Sequence, residues 1–342
     1  MAVITYRQSV HDTLRDEMRR DEDVFLMGEE IGVFEGSYKI TAGLLEEFGP
    51  TRVRDAPISE EGFVGAAIGA AMLGLRPVVE VMTINFILLA MDQIVNCAAK
   101  IHYMFGGQSK VPLVIRAPGG GGQQLSATHS QNLEVWFAHV PGLKVVAPST
   151  PADARGLLKA AIRDDDPVIF LENLALYNTK GEVAEDGPDE GILQIGTADV
   201  KRPGTDITIV SYSRLAAVAM NAAQQLAEQD GISAEVVDLR SLRPLDRETI
   251  LKSVRKTSRA VVFEEEWRSY GVGAEIAATI QEGAFDYLDA PVRRIAAAEV
   301  PLPYAKVMEL AALPTAQHLT DAVRATLDAS GGKRANGEAS DG

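Results

Sequence analysis

The chain has 342 residues, 46% hydrophobic and 24% charged, which supplies apolar material for two domain cores and excludes disorder on the scale of the fold. A formal net charge of −15 argues against a nucleic-acid footprint, so an anionic substrate would have to be met by a local positive site or a cofactor. The lone Cys97 excludes an intrachain disulfide, and its place in the apolar series Met91, Ile94, Val95, Ala98 reads as a small buried hydrophobe in a reducing, cytoplasmic compartment.

Residues 5–20 put Val10, Leu14 and Met18 on one helical face, and the segment lacks the apolar core of a signal peptide. Apolar runs at 24–27, 78–81, 113–115 and 168–171 read as buried strands, with helices over 62–74, 85–105 and 151–164 between them. The apolar stretch 64–75 is too short to span a bilayer, so no membrane association is expected. From 186 to 203 Lys, Glu, Asp, Gly and Pro replace the apolar period, as in a linker. A second series follows, with strands at 207–210, 234–237 and 260–263 and helices at 213–229, 246–255 and 271–283. The alternation predicts an α/β fold of two three-layer domains, 1–185 and 204–330, each with a mostly parallel sheet covered on both faces. The tail 331–342 has no apolar face and is expected to be disordered.

Candidate chemistry begins at Asp55-Ala56-Pro57-Ile58-Ser59-Glu60, where a carboxylate sits between an extended segment and a helix start. Ligand-facing side chains project from such turns in α/β folds. An acid in a first helical turn also suits the helix dipole alone, which leaves Glu60 with two readings at this point. His129 follows the glycine run 119–122 in a loop, and its imidazole can exchange protons near neutral pH. No Gly-Lys-Ser/Thr follows that run, so a P-loop is excluded. Gly271-x-Gly273-x-x-Ile276 lacks the third glycine of a dinucleotide fingerprint. Arg163-Asp164-Asp165-Asp166 ends a helix where acids are disfavoured unless something cationic compensates.

The order of several blocks carries more: Pro57-Ile58-Ser59-Glu60, Gly74-Leu75-Arg76-Pro77, Asn85-Phe86, Asp92-Gln93-Ile94-Val95-Asn96, His129-Ser130-Gln131, Pro141-Gly142-Leu143-Lys144, Gly271-Val272-Gly273-Ala274-Glu275 and Pro303-Tyr304-Ala305-Lys306. Over about residues 3–328 the chain resembles the beta subunits of the thiamine-dependent, decarboxylating component of 2-oxo acid dehydrogenase complexes, nearest the pyruvate dehydrogenase branch. Branched-chain 2-oxo acid and acetoin dehydrogenase beta subunits are the neighbouring alternatives, and a non-catalytic assembly subunit is the alternative of another class.

The resemblance implies a transketolase-like pyrimidine-binding domain followed by a transketolase-like C-terminal domain. It implies that Glu60 bonds the aminopyrimidine of thiamine diphosphate, that Ile58 and Phe86 flank that ring, and that His129 acts near the reacting centre during transfer to lipoamide. It also implies a monovalent cation such as K⁺ on backbone oxygens of Leu113, Ala161 and Asp166 and on the Asp164 carboxylate; Asp166 departs from the Asn of some relatives. Thiamine enzymes hold Mg²⁺ and the diphosphate through Gly-Asp-Gly and a later Asn, a motif this sequence lacks. The implied partner is an alpha subunit carrying that motif in an α2β2 assembly, with a lipoyl acyltransferase component downstream.

Overall fold

The computed structural model describes residues 1–184, 187 and 190–337, with 330–337 described by backbone alone. Two units divide the chain: Met1–Gly196 with Ser241–Pro244, and the remainder beginning at Thr197.

The first unit runs β1 (Ala2–Thr5), α1 (Tyr6–Arg20), β2 (Val24–Gly28), α2 (Leu44–Phe48), β3 (Val53–Asp55), α3 (Glu60–Met72) and β4 (Arg76–Glu80). A 3-10 turn, Phe86–Ala90, and a π-helical stretch, Gln93–Ala98, then lead into α4 (Ala99–Met104). Next come β5 (Val114–Gly119), α5 (Glu134–Ala138), β6 (Lys144–Val146), α6 (Pro151–Arg163), β7 (Val168–Asn173) and β8 (Lys180–Val183). The second unit holds β9 (Asp199–Arg202), β10 (Ile207–Ser211), α7 (Ser213–Asp230) and β11 (Ala234–Asp238); β12 (Ser241–Arg243) returns to the first. It continues with α8 (Arg247–Thr257), β13 (Ala260–Trp267), α9 (Val272–Ala284), β14 (Arg293–Ala297), α10 (Lys306–Ala312) and α11 (Ala316–Gly337).

The larger sheet has the order β12-β6-β7-β5-β4-β2-β3 and is parallel except for β12 on its edge. The smaller has the order β14-β13-β10-β11-β9, antiparallel only at β9. Strands β2, β4, β5 and β7 are buried almost throughout, the mark of a parallel sheet covered on both faces. Local signals set the helix starts. The Thr5 hydroxyl accepts from the Gln8 amide at 3.1 Å, and Thr150 caps α6 with Pro151 at its first position. Val10, Leu14 and Met18 of α1 pack with Leu157, Leu158 and Ile162 of α6 in one core over the sheet.

Three expectations need correction. The helix read over 85–105 is broken into a 3-10 turn, a π segment and α4. Its buried residues Ile87, Ala90, Ile94, Ala98 and Ile101 keep a helical spacing, and the turn type changes where the segment packs against α3. Residues 199–202, read as linker, form β9 and pair with β11, while 185, 186, 188 and 189 lie outside the described residues. The tail expected to be disordered has a helical backbone through 331–337 as the end of α11; residues 338–342 lie outside the described residues.

Candidate active site

The chain leaves β2 for β3 on one side and then crosses back to β4 on the other. Such a reversal of strand order marks, at the carboxyl ends of the strands, the usual ligand position in parallel sheets. Four predicted or newly found residues follow four adjacent strands there: Glu29 after β2, Glu60 after β3, Phe86 after β4 and His129 after β5.

Backbone pairing brings the first two together. Gly28 pairs with Asp55 on one side and Glu80 on the other, and the Ala56 amide donates to the Gly28 carbonyl at 2.8 Å. The Asp55 carboxylate accepts from the amides of Gly32 at 2.6 Å and Val33 at 3.1 Å, tying the loop that carries Glu29 to the turn that carries Glu60. A side chain at residue 32 would collide with that carboxylate, which accounts for the glycine. Glu60 is the first residue of α3 and is only 3% exposed. Burial and the charge of Glu60 push the Glu29 carboxyl above the ordinary range, and its Oε1 is buried with no hydrogen-bond partner. Sequence reasoning missed Glu29. The available signal was its place directly after the first buried strand.

Phe86 and His129 meet as ring partners, centroids 5.2 Å apart and nearly perpendicular. His129 is exposed, and its Nδ1 lies 3.0 Å from the Thr128 hydroxyl. Ile58, expected with Phe86 to flank the aminopyrimidine ring, is 86% exposed and lies at the open side of the turn.

At the end of α6 the chain places an ammonium of its own beside the acidic residues. Lys144 Nζ donates to both Asp164 carboxylate oxygens at 2.8 and 2.7 Å and pairs with Asp166 at 3.0 Å. Despite partial burial, these carboxylates hold the Lys144 ammonium above its usual range. Arg76 donates to the carbonyls of Ile162 at 3.1 Å and Asp164 at 3.0 Å, and to Asp165 at 2.9 Å. The Leu113 and Ala161 carbonyls already accept from the amides of Val168 and Asp164. Asp164 and Asp166 thus face a tethered ammonium. Among the described residues no cluster of three or more His, Cys, Asp or Glu is arranged for a metal.

In the second unit, the glycines of Gly271-x-Gly273 serve a helix cap. Glu266 accepts from the Val272 amide at 2.7 Å and Glu264 from the Gly273 amide at 2.5 Å, which occupies the α9 amides a pyrophosphate would need. Arg294 pairs with Glu264 at 2.8 Å; burial nevertheless raises that carboxyl above its ordinary range. No described helix is long and apolar enough to cross a membrane.

Residues 2–180 match the transketolase pyrimidine-binding domain, and residues 196–319 the transketolase C-terminal domain. The chain is 53% identical to the mitochondrial pyruvate dehydrogenase E1 component subunit beta-1 of Arabidopsis thaliana, over 94% of this chain and 88% of that protein. It is 51% identical to the pyruvate dehydrogenase E1 component subunit beta of Rhizobium meliloti, over 95% and 70%. Against the subunit beta of Rickettsia felis it is 50% identical over 94% and 97%. Among solved structures, a split-gene transketolase described as an inactive beta4 tetramer superposes with a TM-score of 0.77 at 24% identity, covering 96% of this chain and 99% of that one.

Proposed function

The chain belongs to the family of beta subunits of the pyruvate dehydrogenase E1 component, and from that premise we propose how its residues divide the work. With an alpha subunit it forms the site in which pyruvate is decarboxylated on thiamine diphosphate and the acetyl group passes to lipoamide. The observation that carries this reading is that Glu29, Glu60, Phe86 and His129 follow four neighbouring parallel strands, with Glu29 beside Glu60 and Phe86 against His129.

Thiamine diphosphate, when bound, supplies the electron sink for loss of carbon dioxide. An orphaned carboxyl oxygen on Glu29 beside a buried Glu60 fits a ligand that brings a nitrogen donor, as the aminopyrimidine ring does. Glu60 would hold a proton toward that ring nitrogen, and Phe86 would offer it an apolar face. Ile58 stands exposed, where it would be open to the cofactor and to the partner. His129, within ring contact of Phe86, delivers a proton in the acyl-transfer step.

The sequence has no Gly-Asp-Gly segment followed by Asn, so Mg²⁺ and the diphosphate fall to the alpha subunit of an α2β2 assembly. The lipoyl acyltransferase component is the acceptor. The charge of Asp164 and Asp166 is balanced by Lys144 without recourse to potassium. The lone Cys97 accords with a reducing, cytoplasmic setting.

The test is reconstitution. The purified chain alone is expected to bind thiamine diphosphate weakly by calorimetry and to show no decarboxylase activity. Mixing with the alpha subunit is expected to restore both. Stoichiometric binding and turnover by the single chain would refute the division of labour, and an assembled complex without turnover would make the chain a silent assembly subunit.

A further inference from the structure

Phe86 and His129 arrive from different elements, and neither is held to the other by its own segment. Phe86 opens a short 3-10 turn, while His129 lies in an exposed loop with positive φ at Gly120, Gly122, Gln124 and Ser126. The bond that spans them is made by their neighbours. Asn85 Nδ2 donates to Gln131 Oε1 at 2.6 Å, linking the residue before Phe86 to the residue two beyond His129. Asn85 is itself oriented, since the Thr83 hydroxyl donates to its Oδ1 at 2.9 Å and both side chains are buried. The backbone beneath is equally fixed. The Ile84 amide donates to the Pro118 carbonyl at 2.8 Å, and a Cβ on Gly119 would meet Ile84 at 2.8 Å and the Gln131 carbonyl at 3.3 Å.

We propose that the chain Thr83–Asn85–Gln131 is a positioning device for His129, holding its imidazole at a set distance from the Phe86 face so that it serves acyl transfer. The inference rests on the functional reading given above. In that transfer the lipoyl S–S bond breaks as one sulfur bonds to the acyl carbon. The two-carbon unit gives up two electrons to the disulfide, and the second sulfur leaves as a thiolate that takes a proton. Decarboxylation precedes this step and needs no proton from His129. Loosening the clamp therefore separates the two half-reactions.

The experiment uses the reconstituted α2β2 enzyme with two readouts: decarboxylation coupled to an artificial electron acceptor, and acylation of a lipoyl domain. Asn85→Ala and Gln131→Asn are each expected to slow lipoyl acylation by about 10- to 100-fold, the scale of an ångström of misplacement, and to leave acceptor-coupled decarboxylation within about twofold. Adding Gln131→Asn to His129→Ala is expected to cost nothing further, because a clamp acts only through the residue it holds. The exchanged pair Asn85→Gln/Gln131→Asn keeps the combined side-chain length and is expected to recover most of the acylation rate. Equal losses in both half-reactions, additive losses in the His129→Ala background, or no recovery in the exchanged pair would overturn the proposal. Should His129→Ala itself leave acylation unchanged, the reading of His129 falls and this inference with it. A loss in His129→Ala without one in Asn85→Ala would sink the clamp alone.

Discussion

Replacing Arg116 by methionine tests the largest fully buried side chain, a cation on β5. Arg116 is 1% exposed and lies between Glu80 and Glu172, which are 6% and 2% exposed. One guanidinium nitrogen donates to Glu80 at 2.7 Å, and the other faces Glu172 at the same 2.7 Å as an ion contact. Tyr177 donates to Glu172 at 3.0 Å. Burial raises the Glu172 carboxyl even with Arg116 in place, and the paired carboxylates hold Arg116 firmly charged. Methionine would fill the space and leave two carboxylates without a counter-charge. Each then has to take up a proton to stay buried. For each carboxyl of ordinary pKa near 4.3 that costs about 3–4 kcal/mol at pH 7; because burial already raises Glu172 in the parent, the total lies between the 3–5 kcal/mol typical of one broken buried pair and about 7 kcal/mol for two. The sign follows from proton counting. A carboxyl raised in the folded variant binds more protons there than in the unfolded chain, so stability falls as pH rises from about 4.3 towards the folded pKa. The penalty is expected to shrink by about 1.4 kcal/mol per pH unit and per carboxyl on going from neutral to acid. Urea unfolding of parent and Arg116→Met, followed by circular dichroism at pH 7.5 and pH 5.5, measures it. A penalty of the same size at both pH values, or below about 1 kcal/mol at pH 7.5, would refute the reasoning.

Glu60→Gln in the intact assembly is expected to slow decarboxylation by about 10²–10⁴-fold, and near-parental turnover in a steady-state assay would return Glu60 to its helix-dipole role. Leu88, Leu89 and Ile84 flank Phe86 in sequence, and a pocket narrowed there is expected to favour pyruvate over 2-oxoisovalerate by at least about tenfold in kcat/KM. A competition assay showing equal use would move the chain to the branched-chain group. Lys144→Met removes the tethered ammonium; its melting temperature is expected to rise when potassium chloride replaces choline chloride, whereas the parent stays unmoved, and an equal rise in both would restore a cation site to the parent.

The buried strands at 24–27, 78–81, 113–115 and 168–171 were legible because a parallel sheet covered on both faces leaves continuous apolar runs. Glu60 was legible because its position is local, the first residue of a helix after an extended segment. Glu29 was not, because its meaning depends on β2 lying beside β3, which no window of sequence contains. The same holds for Lys144, which answers a carboxylate 20 positions away, and for the amide of Asn85, which meets Gln131 across 46. Three-residue strands such as β6 and β12 carry too few positions to show a period. The 85–105 segment failed differently. It is helical, yet its turns change type from 3-10 to π to α, and composition does not encode that choice.

The edge strand β12 has a consequence for synthesis on the ribosome. It pairs with β6, its Ser241 hydroxyl accepts from the Gly196 amide at 2.9 Å, and Arg243 donates to the Ala138 carbonyl at 2.8 Å. The nascent chain therefore passes Gly196 with β6 still an open, unpaired border, and must add the next stretch to Pro244 before that border can close. At about 5–20 residues per second, the wait is several seconds, during which an exposed strand can pair with a neighbour on the same polysome. A fragment ended at Gly196 would keep that border permanently, and aggregation of such a fragment would be cured by supplying 241–244 as a covalent extension.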